Sequence, residues 1–183
     1  MPMTIYTKIG DKGKTKTLFS GNTKVSKGSP TIQAIGAIDE VNSYIGLCVA
    51  LMDTKMFVQE KTLLEGIQNN LFITGASFAG SKKILNIKEV KKLEAYIDSK
   101  EKKLPVLKNF ILPGGNVLSS HLMYARSITR SAERSVVVLS EKRKIDSTII
   151  VFLNRLSDAL FIMARYVNYK NRVKEKVWAG SDK

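Results

Sequence analysis

The chain has 183 residues, 44% of them hydrophobic, and a formal charge of +14 from 30 Lys and Arg against 16 Asp and Glu. That length suits one folded, soluble domain with a sizeable core, and a single cysteine excludes both a disulfide framework and a cysteine-based metal site. The basic excess favours polyanionic partners, although the lysines are spread over the N-terminal loop, Lys82 to Lys108 and the tail in the manner of a solvated surface.

Residues 1–29 read as an arm. "MPMTIYTKIG" is neither a signal peptide nor a long Arg/Ser-rich transit segment. "KIGDKGKT", Lys8 to Thr15, looks at first like a phosphate cradle, but a P-loop needs four residues between its first glycine and Gly-Lys-Thr. Only Asp11 and Lys12 separate Gly10 from Gly13, and the chain continues polar and turn-rich instead of opening a helix. The P-loop fails; phosphate binding by another geometry stays open.

From Pro30 to Asp53, Ile32, Ile35, Ile38, Val41, Ile45 and Val49 recur at threes and fours, so a helix begins at Pro30. Cys48 lies in its apolar run, which points to a reducing, cytoplasmic compartment. Asp39 falls near the apolar side, where a buried or interfacial salt bridge to an arginine is expected, while Glu40 is solvated. A second helix is predicted from Thr54 to Ala79, with Phe57, Leu64, Ile67, Leu71 and Phe72 as its stripe. A third is predicted over Asn86 to Lys103, with Val90, Leu93 and Ile97 inward and its lysines on the surface.

Pro105, Pro113 and Gly114-Gly115 then break the chain and hold Asn109 to Leu112 extended or in a tight loop. Asn116 can cap a fourth helix, Val117 to Leu139, and a fifth runs from Asp146 to Asn168. No stretch has the ~20 consecutive apolar residues of a bilayer span. Long helices with short joints make an all-α protein: an antiparallel bundle of about five helices over residues 30–169, preceded by the irregular arm and followed by a basic tail, 170–183.

Two helices carry more polar chemistry than packing needs. Arg126, Arg130 and Arg134 are spaced by four, with Glu133 three residues after Arg130. Such a row can clamp a triphosphate, or it is an exposed face on which Glu133 neutralises Arg130. Asn154 and Asp158 share a face inside an apolar run, so they must be hydrogen-bonded or reach a cleft, since an unpaired polar group in a core costs roughly 1–3 kcal/mol. The lone His121 reads as a hydrogen-bonded bundle residue, and one histidine builds no familiar metal site.

Together these stretches resemble one family, the PduO-type ATP:cob(I)alamin adenosyltransferases. "YTKIGDKGKTKTLFSG" is similar to its N-terminal ATP loop, "VSKGSPTIQAIGAIDEVNSYIG" to its first-helix signature and "FILPGG" to its corrin-side loop. "ARSITRSAERSVV" and "LNRLSDALFIMARYVN" resemble its two active-site helices. The resemblance implies a ferritin-like, cobalamin adenosyltransferase-like bundle, a homotrimer with active sites between subunits, and the substrates ATP, with Mg²⁺, and a corrinoid. ATP is then gripped by Thr7, Gly10, Asp11, Gly13, Lys14 and Thr15, with Lys27 on the phosphates and Arg130, Glu133 and Asn154 completing the site. Asp39 pairs with Arg126 across the interface, and Phe110 fills the space beneath the corrin ring.

In the chemistry the resemblance implies, cobalt(I) attacks the 5′ carbon of ATP and expels triphosphate; the cobalt belongs to the corrinoid, so no protein metal ligand is needed. A flavoprotein reductase is the implied partner, with neither nucleic acid nor membrane. The chain departs from the family pattern at Ser131, where a second arginine is common, and at Gly28 and Ser29, where acidic residues are common. Two other readings compete: a carrier or sensor holding ATP or adenosylcobalamin without turnover, and a basic nucleic-acid binder, which predicts a contiguous cationic face and steep salt dependence.

Overall fold

A computed structural model describes residue 8, residues 10–21 and residues 23–180. The helical periodicities of the sequence become α1 (Pro30–Ala50), α2 (Val58–Phe78), α3 (Ile87–Glu101), α4 (Val117–Ser140) and α5 (Ser147–Lys170). Pro30 occupies the first turn of α1, where its missing N–H costs nothing. Asn86, Asn116 and Asp146 cap α3, α4 and α5 by accepting from the backbone N–H groups of Lys88, Leu118 and Thr148. Helix α2 starts four residues later than the periodicity suggests. The Asp53 carboxylate accepts from the N–H groups of Lys55 and Met56 at 2.7 and 3.0 Å, folding this stretch into a turn instead.

The helices form a ring. Helix α1 packs on α2 and α4, α4 on α5, and α5 on α3, while polar side chains join α3 back to α2. Chain direction alternates from one helix to the next, so a ring with an odd number of members must contain one parallel pair. That pair is α3 and α5, shown by Arg155 on Glu94 and, further along both helices, Lys100 over the Tyr166 ring. The antiparallel expectation therefore holds for consecutive helices and fails at this one contact. Helix α5 is apolar and long enough to pass for a membrane span, but more than half of its most apolar window is buried in the bundle. Burial also pushes the Cys48 thiol up to about 12, leaving it protonated and unreactive.

Lys100 is not on the surface, as the lysine-rich composition of α3 suggested. It is 3% exposed, 2.6 Å from the Glu60 carboxylate and 4.1 Å from the Tyr166 ring centroid. The Tyr96 hydroxyl also donates to Glu60, and burial followed by that carboxylate raises its pKa above the ordinary tyrosine range. Removing one partner strands the other as an unpaired buried charge. Lys100→Met is expected to cost about 3–5 kcal/mol in urea unfolding, and Glu60→Gln/Lys100→Met clearly less, although it removes both charges.

The arm is not irregular throughout. Lys14–Thr15 (β1) pairs antiparallel with Val25–Ser26 (β2), Lys14 opposite Ser26 and Thr15 opposite Val25. It is fixed to the bundle where the Phe19 N–H donates to the Ala79 carbonyl and Arg143 donates to the Phe78 carbonyl while lying over the Phe19 ring. The basic tail also has structure. The Leu112 N–H donates to the Lys176 carbonyl and the Trp178 N–H to the Phe110 carbonyl, each at 2.8 Å, so the tail lies as a strap along the 110–112 segment.

Candidate active site

Helices α4 and α5 run antiparallel, and their seam carries two hollows in succession. Arg126 lines the first, with Asp158 and Phe161 of α5 opposite it and the 104–107 segment, Phe110 and Pro113 as its rim; its volume is about 900 Å³. The Arg126 guanidinium stands 5.5 Å from the Phe161 ring centroid, a stacking geometry that keeps it at the wall. Four residues along α4, about 6 Å further on, Arg130, Glu133, Arg134 and Asn154 line the second hollow, of about 390 Å³.

In that second hollow the Asn154 amide donates to the Glu133 carboxylate at 3.2 Å. Glu133 is thus engaged by the amide, and among the described residues Arg130 has no ion pair. The self-neutralised arginine face is therefore not what forms: an exposed guanidinium is left free for an anion. Ser131 has a local use that its sequence position did not reveal, because its hydroxyl accepts from Arg134 at 2.8 Å and holds that second guanidinium at the hollow. Asn154 and Asp158, the polar pair within an apolar run, both reach these hollows, and Asp158 also accepts from Arg155 at 3.0 Å.

The arm brings its own cluster together. The Gly13 N–H donates to the Gly10 carbonyl, and the Lys27 N–H donates to the Gly13 carbonyl, so the glycine turn opens a hairpin, not a helix. A side chain at Gly10 would meet the Lys27 amine at 3.0 Å, and Gly13 has φ +68, in the left-handed region that favours glycine. Asp11 and Lys14 are exposed beside this turn, and Thr15 and Lys27 line a third hollow of about 740 Å³. Thr7 lies outside the described residues. This arm hollow shares no lining residue with the hollow of Arg130 and Asn154, so among the described residues the two groups predicted to bind one nucleotide line separate hollows.

Asp39 is exposed on α1, not buried, and makes no ion pair with Arg126 within the chain. His121 does behave as a bundle residue, its Nδ1 sitting 2.7 Å from the Tyr44 hydroxyl. Phe110 is far from an ordinary core aromatic. It is 78% exposed at the lip of the larger hollow, its ring edge-on to Trp178 with centroids 6.4 Å apart.

Three positioning groups were not singled out from the sequence. Asn168, 1% exposed, accepts from the Asn116 N–H and donates to the Gly114 carbonyl, latching the Pro113–Gly115 turn onto α5. Arg165 grips Glu175 of the strap and the Pro105 carbonyl. Trp178 flanks Phe110. All three act between segments distant in the chain, and a polar residue at the end of an apolar helix was the one available signal. Gly115 has φ +107, and a Cβ there would overlap the Asn168 amide. Gly115→Ala is expected to cost roughly 1–3 kcal/mol through strain, read as a lower urea midpoint.

The cobalamin adenosyltransferase family profile matches residues 5–167. The corrinoid adenosyltransferase of Bacillus subtilis (strain 168) is 42% identical over 176 residues, which cover 93% of this chain and 90% of that protein. Corrinoid adenosyltransferase PduO of Citrobacter freundii is 37% identical over 96% of this chain, which spans about half, 54%, of that relative. Among solved structures, a PduO-type ATP:corrinoid adenosyltransferase from Lactobacillus reuteri, a phenylalanine-to-alanine variant complexed with cobalamin and ATP, has a TM-score of 0.91. It is 35% identical, with 97% of this chain and 100% of that one covered. An arginine-to-lysine variant from the same organism, complexed with ATP, gives 0.88 at 36% identity over 95% of this chain and 99% of that one.

Proposed function

The chain belongs to the cobalamin adenosyltransferase family, from which we infer that it transfers the 5′-deoxyadenosyl group of ATP to the cobalt(I) of a reduced corrinoid. The electron pair of cobalt(I) forms the cobalt–carbon bond, the bond from the 5′ carbon to the phosphate oxygen breaks, and triphosphate leaves with that bond's electrons. The observation that carries this reading is the α4–α5 seam, where an apolar-rimmed hollow and a cationic hollow lie one helical turn apart. A macrocycle in the first and a triphosphate in the second put the ribose carbon between them.

Arg130, Arg134 and Asn154 bind and stabilise the departing polyanion, since fixed donors act where charge accumulates in the transition state. Magnesium fits the same hollow, because it binds through one or two carboxylates plus substrate phosphates, and Glu133 is the carboxylate that lines it. When bound, the ion offsets phosphate charge. The glycine turn with Gly10, Asp11, Gly13, Lys14, Thr15 and Lys27 serves a neighbouring subunit's nucleotide, which is why it stands apart from Arg130 within one chain. A homotrimer with active sites between subunits satisfies that arrangement, and it gives the exposed Asp39 a partner in Arg126 of the adjoining subunit.

Phe110 supplies an apolar wedge beneath the ring, and a flavoprotein reductase supplies the electron that takes cobalt(II) to cobalt(I). A single cysteine, Cys48, which leaves no disulfide to form within the chain, is in keeping with a reducing, cytoplasmic setting. Incubation with ATP, Mg²⁺ and chemically reduced cobalamin tests the reading: the visible spectrum is expected to change to that of an alkylated corrinoid, with triphosphate released in equal amount. An unchanged spectrum would leave the binding-only alternative standing.

A further inference from the structure

Helix α4 presents two guanidiniums to the cationic hollow, and they are held differently. Arg130 and Arg134 stand four residues apart on one face, where like charges repel and each side chain gains by turning away from the other. Arg134 does not turn away, because its Nη2 donates to the Ser131 hydroxyl at 2.8 Å. Among the described residues that hydroxyl is its one hydrogen-bond partner, and Arg134 has no ion pair. Glu133 is engaged by the Asn154 amide at 3.2 Å and does not draw Arg134 aside. The anchor uses a single donor of the guanidinium, so the rest of the fork stays free for an anion.

The chemistry of position 131 decides whether such an anchor can exist. An arginine there, common in the family, carries donors only; it could accept nothing from Arg134 and would add a third like charge to the same stretch. A serine hydroxyl accepts. Ser131 does not itself line the hollow, so it reaches an occupant through Arg134.

Order along the seam sets what Arg134 meets. The corrin hollow comes first, then Arg130, and Arg134 lies about 6 Å further along the helix, with Val137 and Val138 as the lining beyond it. With the ribose carbon between the two hollows, the phosphate bonded to it enters beside Arg130. The far end of the phosphate chain then extends toward Arg134.

We propose that Ser131 is a positioning residue, holding Arg134 on the terminal phosphate so that the pair selects a nucleoside triphosphate over a diphosphate. The proposal rests on the corrinoid adenosyltransferase reading and adds to it the element that measures the length of the phosphate chain.

Calorimetric titration of the protein with ATP and with ADP, each with Mg²⁺ and without corrinoid, tests it. Ser131→Ala is expected to raise the Kd for ATP about tenfold, the worth of one charge-assisted hydrogen bond, and the Kd for ADP less than about threefold. Ser131→Thr, which keeps the hydroxyl, is expected to restore the wild-type ratio of the two. In an Arg134→Ala background, Ser131→Ala should change neither Kd further, because its effect passes through the guanidinium. A wild-type ratio in Ser131→Ala, equal rises for both nucleotides, no recovery in Ser131→Thr, or additive losses in the double variant would each overturn the positioning role. Wild-type protein that binds no ATP would overturn the nucleotide site and the proposal with it, whereas ATP binding with an unmoved ratio overturns the proposal alone.

Discussion

Arg130→Ala is expected to lower kcat by about 10²–10³-fold with the fold intact, the usual loss when one preorganised electrostatic group is removed from an active site. The size follows from what Arg130 does not do. It is exposed and has no carboxylate partner among the described residues, so truncation strands no buried charge and opens no cavity. Its stabilising interaction appears only with a polyanion present, and grows as the triphosphate takes up the electrons of the breaking bond. Asn154→Ala is expected to fall in the same range, since it removes an amide donor and releases Glu133 to pair with Arg130. Arg130→Lys keeps the charge but loses the two-pronged fork, and should lie between wild type and alanine. Stopped assays with cobalt(I) and far-ultraviolet circular dichroism decide the matter. Wild-type turnover in both alanine variants would remove the assignment.

What could be read from the sequence was local. Periodicity placed five helices, and Asn116 announced the start of α4, because caps and amphipathic stripes are written within a few residues of where they act. Even the polar residues of α4 and α5 were legible as unusual, since an Asn and an Asp in an apolar run need a reason. The errors are contacts made at a distance. Lys100 is indistinguishable in composition from its solvated neighbours until Glu60, forty residues away, reaches it across the ring. The parallel packing of α3 on α5 follows from closing an odd ring, which no local pattern encodes. The strap is invisible for the same reason: "KVW" is held only by a single β-bridge, Val177 opposite Ile111, to a segment more than sixty residues earlier. For Asp39, helical phase offered a buried or an interfacial place, and its exposure in one chain removes only the first.

Phe110→Ala should separate the two halves of the reaction. Starting from cobalt(II), the rate is expected to fall about 10²-fold more than from preformed cobalt(I), a difference of about 2.7 kcal/mol. A lower axial ligand donates electron density to cobalt and so disfavours the electron-rich cobalt(I) state; an apolar ring in its place has no lone pair to donate. Phe110 is positioned for that role at some cost, since a phenyl ring 78% exposed gains little from burial in the free chain. Its backbone carbonyl is tied to the strap through Trp178, and the following turn is latched by Asn168, so the ring is presented, not merely tolerated, at the hollow. Once cobalt(I) has been made chemically the lower ligand is already gone, and the wedge has little left to contribute. Phe110→Leu, which stays apolar but is smaller, should recover part of the cobalt(II) rate. Equal losses from the two starting states would mean that Phe110 only shapes the site, and the displacement of the lower ligand would then need another cause.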